Sequence, residues 1–77
     1  MANLQFEEVK RRLKEGEYLE VKTTGGSYEV WAEPYANPPA VYFEGEMFPI
    51  AELDGICQKL LTAQKEGELS LRWVEME

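Results

Sequence analysis

Tyr18-Leu19-Glu20-Val21-Lys22-Thr23, then Thr24-Gly25-Gly26-Ser27, then Tyr28-Glu29-Val30-Trp31-Ala32-Glu33 is two alternating runs joined by a glycine pair. Alternation of apolar and polar side chains with period two marks strands with one buried face, and Gly-Gly between such runs marks a hairpin. With Gly25 and Gly26 as the central turn residues, Val21 falls opposite Val30, Leu19 opposite Ala32, Lys22 opposite Glu29 and Glu20 opposite Trp31. The predicted core face is Leu19, Val21, Val30 and Ala32, with Tyr28 at the turn end. Tyr18, Glu20, Lys22, Glu29, Trp31 and Glu33 share the other face.

Downstream, Pro34, Pro38 and Pro39 brace an extended loop that presents Tyr35, because each proline removes a backbone donor and restrains the residue before it. A second hairpin, Val41-Tyr42-Phe43-Glu44 into Met47-Phe48-Pro49-Ile50, turns at Gly45-Glu46. Glycine in the first turn position suits a type II′ turn, which sets Phe43 against Phe48 and Val41 against Ile50 as core pairs. Pro49 makes the second arm short or an edge. Leu53, Ile56, Cys57, Leu60 and Leu61 then line a helix from Ala51 to Glu66, stopped by Gly67. The run Glu68 to Met76 alternates again, with Leu69, Leu71 and Trp73 on one side and Ser70, Arg72 and Val74 on the other.

Upstream, Asn3 caps a helix from Leu4 to Glu15 that ends at Gly16 and buries Phe6, Val9 and Leu13. Glu7 and Glu8 near its start, and Arg11, Arg12 and Lys14 near its end, suit the helix dipole. The predicted fold is one α+β domain over residues 1–77, in the order α-β-β-β-β-α-β, an antiparallel sheet with both helices packed on one face.

The chain has 77 residues, 8 basic and 15 acidic, and a net charge of −7. Phosphate backbones and anionic lipid surfaces are held chiefly by Lys and Arg, so this balance argues against direct nucleic-acid binding and against membranes. The opening residues lack a basic then apolar leader, no apolar run is long enough to span a bilayer, and Cys57 is alone. These features place the chain in the cytoplasm. Between Thr23 and Gln58 there is no Lys or Arg, but there are Glu29, Glu33, Glu44, Glu46, Glu52 and Asp54.

Catalysis of the common kinds needs a nucleophile with a base, or an acid and base of separated pKa, in a concave site. There is no histidine to activate Ser27 or Ser70, Cys57 lies on an apolar helix stripe, and so small a core leaves no room for a substrate cleft around any glutamate pair. The expectation is that the protein is not an enzyme and has no cofactor, no metal and no catalytic residue. Glu44 and Glu46 beside Gly45 lack the ligand pattern of a calcium loop.

Aromatic residues among charges of one sign are the chemistry of interfaces: the rings become buried anchors, and the charged rim steers the encounter. The expected partner-binding residues are Tyr18 and Trp31 as anchors, Tyr35 and Tyr42 as flanking contacts, and Glu20, Glu29, Glu33, Glu44 and Glu46 as charge complements. The implied partner is a basic protein surface, most naturally on a nuclease or other nucleic-acid-handling complex, occluded by glutamates standing in for phosphates. In size, acidity and want of catalytic residues the chain resembles phage-borne anti-CRISPR and antirestriction inhibitors and the immunity proteins of nuclease toxins. That resemblance is one of composition and involves no motif. A second reading is a homodimeric accessory subunit that buries the aromatic face against its own copy.

Overall fold

A computed structural model describes residues 4–75. Helix α1 (Phe6–Lys14) leads into strands β1 (Leu19–Thr23), β2 (Gly26–Glu33), β3 (Ala40–Phe43) and β4 (Glu46–Pro49). A single 3-10 turn (Ile50–Glu52), helix α2 (Leu53–Lys65) and strand β5 (Ser70–Trp73) follow. The five strands form one antiparallel sheet in the order β4-β3-β2-β1-β5, so the expected α+β fold and element order hold. Pro49 does lie on an edge strand, where its missing N–H costs no ladder bond.

One core joins both helices to one face of the sheet. Val9 and Leu13 of α1, Leu53, Ile56, Cys57 and Leu60 of α2, and Leu19, Val21, Val30, Ala32, Val41 and Phe43 of the sheet are all buried. Among the described residues no helix is long and apolar enough to cross a membrane.

Both helices end in the same six-residue closure. In α1 the N–H of Glu17 bonds the carbonyl of Arg12 and that of Gly16 bonds Leu13, both at 3.1 Å, while Gly16 takes φ 97°. In α2 Glu68 bonds Ala63 at 2.9 Å and Gly67, at φ 79°, bonds Gln64 at 3.1 Å. The first closure carries a second clamp, because Arg12 also donates to the Glu17 carboxylate at 2.6 and 2.9 Å. The Arg12 guanidinium then lies 4.3 Å from the Trp73 ring centroid. The end of α1, the segment leading into β1 and edge strand β5 are thereby tied together just before Leu19 starts β1.

Four local expectations are corrected. The first helix starts at Phe6 with Gln5 in the cap position, and Asn3, expected there, lies outside the described residues, as does Met76 at the end of the last strand. The first hairpin turns at Thr24-Gly25, so Val21 pairs with Tyr28, Leu19 with Val30 and Glu20 with Glu29. The Thr23 hydroxyl causes this, accepting from the Gly25 N–H at 3.2 Å and donating to the Gly26 carbonyl at 3.1 Å, while Gly26 takes φ 141°. The second hairpin turns at Glu44-Gly45, with φ 54° and 78°, so Val41 pairs with Phe48 and Tyr42 with Met47. Positive φ at both positions is a type I′ turn, which places glycine second. Ile50 consequently leaves the strand for the 3-10 turn, its N–H bonding the Pro39 carbonyl at 3.2 Å, and α2 proper starts at Leu53 instead of Ala51.

Each hairpin moves by two residues, so no side chain changes face.

Candidate functional site

The face of the sheet away from the helices carries an apolar row that runs across β4, β3 and β2 to Tyr18 and Val74, which lie one residue beyond β1 and β5. Tyr42 of β3 pairs with Trp31 of β2 on one side and with Met47 of β4 on the other. One step beyond the Leu19–Val30 pair, Tyr18 stands beside Trp31, and its carbonyl accepts from the N–H of Val74 at 2.9 Å. Val74, Tyr18, Trp31, Tyr42 and Met47 are thus neighbours in that order. The Tyr18 and Trp31 rings stack at 5.3 Å and 26°, and Trp31 and Tyr42 at 4.8 Å and 11°.

These separations match the strand spacing, so the rings stand upright and spend their faces on one another. The three rings are half-buried, whereas Met47 at the end of the row is 60% exposed.

Charge flanks the row on both sides. Towards the hairpin tips, Arg72, Glu20 and Glu29 are cross-strand neighbours. Arg72 donates to Glu20 at 2.6 Å, which relieves the like-charge pair that Glu20 and Glu29 would form alone. Glu29 has no ion-pair partner among the described residues. On the other side Glu33 accepts the Trp31 indole N–H at 3.2 Å, which fixes the orientation of the central ring. A shallow depression of about 370 Å³ next to Trp31 is lined by Glu20, Ser27, Tyr28, Glu29 and Gly45.

Compared with protein-family models, curated proteins and solved structures, the chain matches none. The geometry of this face therefore carries the functional argument.

Of the residues expected from sequence, Tyr18, Trp31 and Tyr42 come together in the row and Glu20, Glu29 and Glu33 line it. Glu44 sits in the exposed turn of the second hairpin. Glu46 pairs with Phe43, whose side chain is buried among the helices, so Glu46 lies on the helix side of the sheet and not beside the row. Tyr35 is 96% exposed, in a separate hollow with Lys14, Gly16, Ala32 and Pro34 at the end of α1.

Met47, Arg72 and Val74 belong to the face and were not anticipated. Alternation around buried-side Phe48 already puts Met47 outward. Arg72 and Val74 reach the row only because β5 docks on β1, which no local signal announces.

The acidity is unevenly placed. The β5–β1 half of this face holds Arg72 and Lys22 against Glu20, while the β2–β4 half holds Glu29, Glu33 and the tip residue Glu44 with no cation. Away from the face, burial pushes the Cys57 thiol up to about 11, with nearby Asp54 adding and Lys10 opposing, so the thiolate is scarce at neutral pH.

Proposed function

We propose that this chain is a non-catalytic protein-binding module that uses its helix-free sheet face to cover a basic surface on another protein. The observation that carries the reading is the apolar row with unpaired Glu29 and bound Glu33 on either side of Trp31. Aromatic and methionine side chains in line supply desolvated contact, and the carboxylates beside them supply direction and orientation. Carboxylates of this half compete for the Lys and Arg that elsewhere hold phosphate. An inhibitor of a nuclease or other nucleic-acid-handling protein, working in the cytoplasm, is the form of this function we favour. An unpaired, buried cysteine suits a reducing compartment.

Size-exclusion chromatography with light scattering, at low and high salt, comes first. The module reading expects a monomer at both; a dimer that persists in high salt means that the row is covered by a second copy. Capture from a host lysate with the parent chain, Trp31→Ala and the double variant Glu29→Lys with Glu33→Lys follows. A basic protein held by the parent, released by rising salt and lost from both variants is expected. Retention by both variants would remove the face from the function.

A further inference from the structure

The row has a spacing, and the spacing selects the shape of its partner. We infer that the face receives an amphipathic α-helix, laid across the strands, with an apolar stripe bordered on both sides by Lys or Arg. The inference rests on the proposed reading of this face as a binding surface and adds the form of the occupant.

Neighbouring rings are 5.3 and 4.8 Å apart. Three or four residues along an α-helix advance ~4.5 to 6 Å, so the side chains of a helical stripe recur at the interval of the row. An extended segment repeats on one side only every ~6.6 to 6.8 Å and falls out of step after two contacts. The Tyr18, Trp31 and Tyr42 ring planes lie within 26° and 11° of their neighbours, so the middle of the row offers near-parallel ring edges to a rod laid across it. From Val74 to Met47 the row covers four strand spacings, about 19 Å, the length of a helix of ~13 residues.

The chemistry of the surface agrees with that shape. Both faces of Trp31 and one face of each tyrosine are occupied by stacking, so a partner cation gains little by approaching the central ring. Aliphatic side chains of the helix fit against the ring edges and Met47. Its cations reach past them to Glu29 and the adjoining depression on one side and to Glu33 on the other. Because the uncompensated carboxylates lie on the β2–β4 half, the more basic end of the helix belongs over Trp31, Tyr42 and Met47.

The probe is a side-chain-braced helical peptide of about 16 residues, free of tryptophan, with a leucine stripe flanked by lysines and arginines. A scrambled peptide of the same composition is its control. Titration calorimetry against the full chain should show the helical peptide binding about tenfold more tightly than the scramble. Met47→Ser and Glu29→Lys, both at exposed positions, should each weaken the helical peptide by a comparable factor.

Equal binding of the two peptides, weakened by Glu29→Lys, would overturn the helix and leave an acidic binding face. Binding of the helical peptide that ignores both substitutions would place it elsewhere and overturn the inference. If neither peptide binds, the helix is likewise overturned, and the capture experiment with Trp31→Ala judges the face separately.

Discussion

On the helix side of the sheet, Leu19, Val21, Val30 and Val41 are fully buried beneath Val9, Leu13, Leu53 and Leu60. On the other side, Tyr18, Trp31 and Tyr42 shield chiefly one another, and Met47 is largely open. Both rows are apolar and both cross the strands. The first is closed by a second layer and carries the fold; the second is closed only sideways, which leaves its upper edges uncovered by any other element among the described residues. Among the described residues no third layer lies over it.

Truncating the closed side should cost most. Leu60→Ala removes a buried side chain that neighbours cannot replace, and should lower unfolding stability by about 2–5 kcal/mol in urea titrations. Trp31→Ala breaks two ring stacks on the open side, worth about 1–3 kcal/mol at ~0.5–1.5 for each aromatic pair, to which the area hidden by the half-buried ring adds. The total should stay below the ~3–5 kcal/mol of a fully buried tryptophan. If Trp31→Ala reaches the cost of truncating a fully buried tryptophan, the open side is part of the core and the distinction between the faces fails.

The join between α1 and β1 offers a pH test. The Arg12 hydrogen bond holds the Glu17 carboxyl below its ordinary value, against an opposing effect of burial and with added help from the Arg12 and Arg11 charges. A depressed folded pKa means stability that is present above the unfolded value and lost as pH falls through the folded one. The parent should therefore lose urea resistance between neutral pH and the acid range more steeply than Glu17→Gln, whose side chain does not titrate. Parallel slopes would show that the Arg12–Glu17 clamp contributes nothing to stability.

Met47→Ser should be the mildest change to the fold, within ~0.5 kcal/mol, because the side chain is mostly in water already. A larger loss would mean that Met47 packs against its own sheet and is not available to a partner.

Much of the fold was legible because local patterns agree with one another. Alternation in Leu19–Thr23 and Tyr28–Glu33, the apolar spacing of Val9 and Leu13, and stops at Gly16 and Gly67 all describe the elements that form. The register of each hairpin differs by two residues from the one its glycines suggest. A hydroxyl at Thr23 and the positive φ that Glu44 adopts ahead of Gly45 mark where each hairpin turns, and the count of glycines does not reveal either. The faces survived the shift, so Tyr18, Trp31 and Tyr42 were assigned to the correct side. The expected register sets Trp31 opposite Glu20; the observed one brings it between Tyr18 and Tyr42, where the rings stack.

What can be read without coordinates is whatever depends on near neighbours in the chain: the period of each element, the inward and outward sides of each strand, the acidic stretch from Glu29 to Asp54. Contacts between distant segments are another matter. Docking of β5 on β1 pairs Arg72 with Glu20, completes the row with Val74 and leaves the β2–β4 half as the uncompensated acidic one. Several strand orders would bury the same apolar faces about equally well, and only the packing of both helices and all five strands together selects among them.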